Sequence, residues 1–334
     1  MEEKRTLKIL YAGSPLASSM VLSRLLDASS KGGFEIAAVL TNPPSPRGRK
    51  KDLIPTEVSH IAQKNGIRVF EFDHVKSEAR NAILPLGADI LVSFDYGRIF
   101  GEKFLSMFPL GGINVHPGFL PRYRGCTPVP FAILNGEKEI GVCVQTLSLE
   151  MDGGNVLAVG KIPLLGNETT LSLMDGDGKT SAVTEVGFDL LFDVLSKISR
   201  SFSIPTGEKQ TGEAFYTPLL KKEDGEIDWN ESAQNIARKI RAYTPWPSTF
   251  TTCDGVRLKI LCAYEGVAEA AESANKKNGT VLPSSKKAGE GGVRILCDEG
   301  ILCVTKLQWE KKNAVDWKSF LNGSRDFVGK ILGN

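Results

Sequence analysis

Apolar runs at 7–12, 34–41, 67–72 and 89–94 alternate with stretches of helical periodicity, and that pattern leaves few folds open. The first run turns at Gly13-Ser14-Pro15 into a helix carrying Met20, Val21, Leu25 and Leu26, and further helical stretches lie at 56–65 and 75–85. Strand and helix in alternation predict a parallel sheet covered on both faces, because each crossover lays a helix over the sheet. The glycine turn lacks the G-x-G-x-x-G spacing of a dinucleotide site, so it reads as a plain strand-to-helix turn. Strands at 141–149 and 155–165 continue the domain, as does a helix at 181–198 with Val183, Val186, Leu190, Leu191 and Leu195 along one side.

Periodicity stops at 199–222, where Ser, Thr, Pro, Gly and Lys gather as in a linker. A helix at 232–243 follows, with Ala233, Ile236, Ala237 and Ile240 inward and Arg238, Lys239 and Arg241 outward, stopped by Pro-Trp-Pro. Short strands near 248–252, 256–264, 279–282, 292–297 and 301–308 then predict a small β-barrel. With 334 residues the chain can bury two cores.

Lys plus Arg exceed Asp plus Glu by only 41 to 39, so any site for a polyanion has to be local. The six cysteines include no C-x-x-C and most lie in apolar runs, which suits buried free thiols better than disulfides or zinc. The start, Met-Glu-Glu-Lys-Arg, runs straight into a strand without an apolar signal core, and no apolar stretch approaches membrane-spanning length. A cytoplasmic protein with no membrane partner is expected.

The densest chemistry lies at 111–157. Ile113 and Val115 flank Asn114 in a short strand that Pro117 ends, so Asn114 and His116, two apart, share one face of a strand end. A second strand runs into Met151-Asp152-Gly153-Gly154, a turn presenting one carboxylate. An amide, an imidazole and a carboxylate are the parts needed to move an acyl-like group onto an amine. Taken singly, each also fits a structural role: a strand-end amide, a satisfied histidine, a turn-closing acid.

Three other stretches carry polar side chains in suggestive places. Residues 42–55 hold four prolines and the run Arg47-Gly48-Arg49-Lys50-Lys51, a solvated face or a projecting loop able to order on a phosphate backbone. The buried strand at 88–94 ends in Asp95-Tyr96-Gly97-Arg98, either a capped turn or a wall for a flat heterocycle. Arg122 and Arg124 beside Tyr123 form a rim ion pair or hold phosphate and carboxylate groups, with the second reading favoured.

The run I-N-V-H-P-G-F-L-P-R-Y-R-G resembles the signature of the 10-formyltetrahydrofolate-dependent formyltransferases. L-K-I-L-Y-A-G-S-P at 7–15, the basic loop at 41–51 and I-D-W-N-E-S-A-Q-N-I-A-R-K-I-R-A-Y-T-P-W-P at 227–247 narrow the resemblance to members that act on methionyl-tRNA. It implies an α/β fold: a Rossmann-like parallel-sheet formyltransferase domain at 1–200, a linker at 201–222 and an OB-like β-barrel that embraces tRNA at 223–334. It further implies transfer of the formyl group of 10-formyltetrahydrofolate to the free amino group of initiator methionyl-tRNA; that chemistry requires no metal, and a monomer is expected although the sequence is silent on oligomeric state.

In that reading His116 takes the amine proton, Asn114 donates to the formyl oxygen, and Asp152 orients His116 and favours its charged form. Gly118, Phe119, Leu120, Pro121, Asp95, Tyr96 and Gly97 are expected at the folate. Arg47, Arg49, Lys50, Lys51, Lys239 and Arg241 are expected at the tRNA, with the loop at its acceptor end. Two departures from the family pattern stand out. Gly118 replaces a usual Ser, removing a hydroxyl expected near the folate, and the usual G-L-D-T-G-D becomes Glu150-Met151-Asp152-Gly153-Gly154-Asn155.

Overall fold

A computed structural model describes residues 5–47, 51–266, 276–284 and 291–333. The chain divides into two compact units. Met1–Pro128, Lys138–Leu164 and Ser172–Pro218 form the first; Val129–Glu137, Leu165–Leu171 and Leu219–Asn334 form the second. The first unit therefore keeps the chain as far as Pro218, through most of the stretch that reads as a linker.

The first unit begins β1 (Leu7–Ala12), α1 (Leu16–Gly32), β2 (Phe34–Thr41), β3 (Ser45–Arg47), β4 (Asp52–Ile54), α2 (Glu57–Lys64), β5 (Arg68–Glu71), α3 (Ser77–Ile83). It continues β6 (Ile90–Phe94), α4 (Glu102–Leu105), β7 (Gly112–His116), β8 (Arg124–Gly125), α5 (Pro128–Leu134, beyond Pro128 in the second unit), β9 (Glu139–Thr146), β10 (Val156–Pro163). After α6 (Thr170–Met174) come α7 (Ala182–Ser201) and β11 (Tyr216–Thr217). Seven strands form one sheet in the order β10-β9-β7-β6-β1-β2-β5. The five from β7 to β5 are parallel, as the alternation predicts; β9 and β10 add an antiparallel flank. No helix separates β9 from β10, and without a crossover two neighbouring strands must run in opposite directions. That connection carries Asp152.

Local chemistry accounts for the element ends. The turn after β1 needs Gly13, because a Cβ there would lie 1.8 Å from Ser18 Oγ and 2.8 Å from the Phe94 carbonyl oxygen. Helix α7 starts with a reciprocal cap: Ser181 Oγ accepts from Thr184 N at 3.2 Å and Thr184 Oγ1 accepts from Ser181 N at 2.9 Å. In the sheet, Ile113 and Val115 of β7 are buried in the core while Asn114 and His116 share the opposite face.

Two stretches carry more structure than their composition suggests. The proline-rich basic loop contains a small antiparallel hairpin, with Pro46 opposite Leu53, and Leu53 is 68 % exposed. Arg49 and Lys50 lie outside the described residues. The expected linker pairs with the sheet's own loops: β11 runs parallel to β8, and Glu208 bridges to Val156.

In the second unit the helix α8 (Ala233–Ala242) precedes β12 (Thr249–Cys253), β13 (Val256–Gly266), β14 (Val281–Leu282), β15 (Val293–Leu296), β16 (Ile301–Trp309), β17 (Val315–Asp316) and α9 (Trp317–Gly323). These strands make a six-stranded antiparallel sheet, β12-β13-β16-β15-β14 with β17 beside β16, curled into a half-barrel. Ala233, Ile236, Ala237 and Ile240 of α8 join its core with Leu258, Ile260, Leu302 and Val304. The closing helix α9, missed in the sequence, is capped by Asp316 Oδ1, which accepts from Lys318 N and Ser319 N. No described helix is long and apolar enough to cross a membrane.

Candidate active site

The site is built at the end of β7 in the first unit. His116 is 4 % exposed, and its Nε2 lies 2.5 Å from the carbonyl oxygen of Tyr123. A carbonyl can only accept, so Nε2 carries the proton and Nδ1 is the basic nitrogen of the neutral ring. Asp152 Oδ1 stands 3.6 Å from that Nδ1. Tyr123 therefore holds one ring nitrogen by a hydrogen bond, and Asp152 stands beside the other.

Asp152 is itself held tightly. Its backbone is left-handed, with φ of 51°. Oδ2 accepts from Gly125 N at 2.8 Å and Oδ1 from Gln145 Nε2 at 2.9 Å. Gly154 completes the turn, since a Cβ there would sit 1.7 Å from the Thr146 carbonyl oxygen. Asn114, opposite Ser93 and Gln145 in the sheet, is partly exposed, and no described residue hydrogen-bonds its side chain. Its amide is free to donate to a bound substrate.

A second wall follows β6. Asp95, with φ of 50°, is crowded by protein yet keeps surface open to solvent. Burial, and then the carboxylate of Asp175, push its carboxyl up to about 6. Tyr96 is buried and begins a ladder of rings four residues apart: it stacks on Phe100 at 5.4 Å, and Phe100 stacks on Phe104 at 5.5 Å. Its hydroxyl is buried and has no hydrogen-bond partner among the described residues. Burial raises the phenol to about 12, so it stays protonated and needs an acceptor. Gly97, at φ 74°, has open space around its Cα. The thiol of Cys126, which keeps an exposed surface, is raised by desolvation and then by the carboxylates of Asp152 and Asp95.

An acceptor-seeking phenol, a readily protonated carboxyl and a free amide fit a flat polar ring bearing a transferable group. The loop after β7 fits less simply. A Cβ on Gly118 would lie 2.9 Å from Pro128 Cβ and 3.1 Å from both His116 Nε2 and Tyr123 Cβ. Gly118 thus makes room for the imidazole's hydrogen bond, and its φ is not in the left-handed region. Phe119 lies on Gly141 and beneath Lys161 Nζ, 5.5 Å from the ring centre. Leu120 and Pro121 are half-buried.

Arg124 is not free for substrate. Its Nη1 donates to Glu150 Oε1 at 2.6 Å and to the Tyr216 hydroxyl at 2.8 Å, and its Nε to Gln210 Oε1 at 3.0 Å. Arg122, exposed, lies over the Tyr123 ring. Sequence reasoning missed Gln145, Gln210, Glu150 and Tyr216. Gln145 had a signal, as it lies on the face of β9 that meets Asn114; the other three had none.

The family described as "Formyl transferase" matches residues 7–180, and "Formyl transferase, C-terminal domain" matches 219–325. The chain belongs to the formyl transferase family. It is similar to the methionyl-tRNA formyltransferase of Treponema denticola, 39 % identical over 332 residues covering 96 % of this chain and 98 % of that one. It is likewise similar to that of Pseudoalteromonas translucida, 34 % identical over 330 residues covering 98 % of each. Among solved structures, this formyl transferase shares its fold with HypX from Aquifex aeolicus in complex with tetrahydrofolic acid. That match has TM-score 0.62 and 19 % identity, over 97 % of this chain and 48 % of that one. An N-formyltransferase from Helicobacter canadensis gives TM-score 0.59 at 18 % identity, over 92 % of this chain and all of that one.

The formyl transferase carries its candidate tRNA-facing cations in several states. Lys51 is exposed at the hairpin. Lys239 and Arg241, expected to point outward, are half-buried; Lys239 Nζ donates to the Glu226 carbonyl at 2.6 Å and Arg241 Nη1 to that of Glu168 at 3.3 Å. Burial lowers Arg241, partly offset by Glu168. On the half-barrel, Arg257, Lys259 and Lys311 join Gln308, Trp309 and Glu310 around a groove of about 270 Å³.

Proposed function

We propose that this formyl transferase moves the formyl group of 10-formyltetrahydrofolate to the α-amine of initiator methionyl-tRNA, yielding formylmethionyl-tRNA in the cytoplasm. The observation that carries the reaction type is the arrangement of Asn114, His116 and Asp152. A basic imidazole nitrogen, a carboxylate 3.6 Å away and an unengaged amide stand at one strand end.

The roles follow from that arrangement. The amine attacks the formyl carbon as a neutral nucleophile, and His116 Nδ1 accepts its proton. The new Nδ1–H faces Asp152, whose fixed negative charge stabilises the imidazolium. Asn114 donates to the formyl oxygen as charge gathers there, worth about 3–4 kcal/mol in comparable oxyanion sites. The same imidazole can return a proton to the departing tetrahydrofolate nitrogen. Asp95, Tyr96 and Gly97 hold the pterin ring, with Leu120 and Pro121 at its edge and Gly118 and Phe119 supporting the loop.

The amine is too small to identify a tRNA, so selection falls to the nucleic acid. The basic run of Arg47, Arg49, Lys50 and Lys51 serves the acceptor end. Lys239, Arg241 and the groove cations of the second unit serve phosphates. We read the working species as a monomer. The test is transfer of label from formyl-labelled 10-formyltetrahydrofolate, offered charged initiator tRNA and, separately, amino-sugar nucleotides. Label on the tRNA alone is expected; label on the sugar alone overturns the assignment.

A further inference from the structure

Between its two anchored ends, the segment 206–217 crosses both loops of the site. At one end Val156 and Glu208 exchange backbone hydrogen bonds of 2.8 Å, and Asn155 Nδ2 donates to the Thr206 carbonyl at 2.9 Å. Gly207 allows this approach, since a Cβ would lie 2.8 Å from the Val156 carbonyl oxygen. At the other end Arg124 N donates to the Phe215 carbonyl at 2.9 Å, and Thr217 Oγ1 donates to the Arg124 carbonyl at 3.0 Å. The first anchor lies beside the Asp152 turn and the second beside the loop that holds the His116 ring.

Gln210 stands between these anchors and touches both loops. Its Nε2 donates to the carbonyls of Asp152 at 2.6 Å and Gly154 at 2.8 Å, with Gln145 Oε1 at 3.3 Å. Its Oε1 accepts from Arg124 Nε at 3.0 Å. The orientation of the amide is determined chemically: backbone carbonyls only accept and a guanidinium only donates, so the two ends cannot be exchanged. Arg124 belongs to the loop whose Tyr123 carbonyl sets the His116 ring, and Asp152 faces the Nδ1 of that ring. The spacing between imidazole and carboxylate is the relative placement of these two loops.

We infer that Gln210 is a positioning residue for formyl transfer, fastening the Asp152 turn to the Arg124 loop so that Asp152 stays beside His116. The inference rests on the proposed role of Asp152. Gln210→Glu separates it from a general structural role. The carboxylate has the same shape and keeps a partner in Arg124, so the segment stays attached. It has no hydrogens for the Asp152 and Gly154 carbonyls and repels them, so the turn loses this fastening and is held only through the Asp152 carboxylate, by Gly125 N and Gln145 Nε2.

The experiment measures kcat and KM for both substrates, with unfolding midpoints, in Gln210→Ala, Gln210→Glu, Asp152→Ala and the Gln210→Glu/Asp152→Ala double variant. Gln210→Glu should lower kcat by about 10- to 100-fold, the scale of a small misplacement of a reacting group, with KM values close to the parent's. Its midpoint should match the parent. In the Asp152→Ala background the Gln210→Glu change should have no further effect, because the group it positions is gone. Parent-like kcat in Gln210→Glu, or an undiminished effect in the double variant, overturns the inference while leaving the proposed reaction intact. Parent-like kcat in Asp152→Ala instead removes the proposed role of Asp152 and the inference with it.

Discussion

The carbonyl oxygen of Tyr123 lies 2.5 Å from Nε2 of His116, and this hydrogen bond decides which ring nitrogen carries the proton. With Nε2 engaged as donor, Nδ1 is left basic and directed at Asp152. Removing His116, Asn114 or Asp152 by substitution to Ala should therefore lower turnover by about a hundredfold or more each, within the range of acid–base and oxyanion groups. Single-turnover kinetics on folded variants checks this. Near-parent turnover in any one takes that residue out of the mechanism.

Asp152→Asn should behave almost as badly as Asp152→Ala. The carboxylate accepts from Gly125 N on one oxygen and from Gln145 Nε2 on the other. An amide offers only one acceptor, so an N–H must face a donor unless Gln145 turns. The comparison of the two variants' kcat values measures this; an Asn variant at the parent rate would falsify the two-acceptor requirement.

Restoring the family's usual residue by Gly118→Ser should harm rather than help. The new Cβ meets Pro128 Cβ at 2.9 Å and crowds His116 Nε2 at 3.1 Å. Overpacking of this kind costs about 1–3 kcal/mol, and here it also displaces the His116 ring. Denaturant unfolding midpoint and kcat should both fall. A lower KM for the folate with unchanged stability would return the position to a cofactor-binding role.

Asp95 makes stability depend on pH in a definite sense. Its folded carboxyl titrates at about 6, above the ordinary aspartate range, so the folded state prefers it protonated. That contribution is complete at acidic pH and lost as pH rises through about 6. Asp95→Asn should therefore gain on the parent in urea midpoint between about pH 4 and 6 and hold a constant margin above. Its KM for the formyl donor should rise. A margin independent of pH would mean Asp95 is not shifted.

The two basic surfaces should part company in their salt dependence. Replacing 47–51 by Gly and Ser should cut kcat/KM for methionyl-tRNA while sparing any folate-dependent hydrolysis. Arg257→Ala with Lys259→Ala should weaken tRNA binding evenly across sequences and flatten log K against log[salt] by about 0.7–0.9 for each phosphate no longer neutralised. An unchanged slope would leave the groove outside the tRNA interface, and an unchanged kcat/KM would make the hairpin a solvated surface.

Much of this molecule was determined by the sequence alone. Continuous apolar runs such as Leu7–Ala12 specify buried parallel strands, and their alternation with helices specifies the sheet. Strand periodicity placed Asn114 and His116 on one face without reference to anything distant. Local pattern encodes which side of an element is apolar, and little more. Tertiary structure decided that Asp152, on a connection without a crossover, arrives beside Nδ1, that Tyr123 accepts from the ring's other nitrogen, and that a Cβ at Gly118 meets close neighbours. It also tied the part of the expected linker that carries Gln210 to both loops of the site. That segment is attached by hydrogen bonds to backbone carbonyls and a guanidinium rather than by an apolar face, so no periodicity announces it. Polar interactions between residues far apart in the chain leave no trace in either sequence stretch until the fold brings them together.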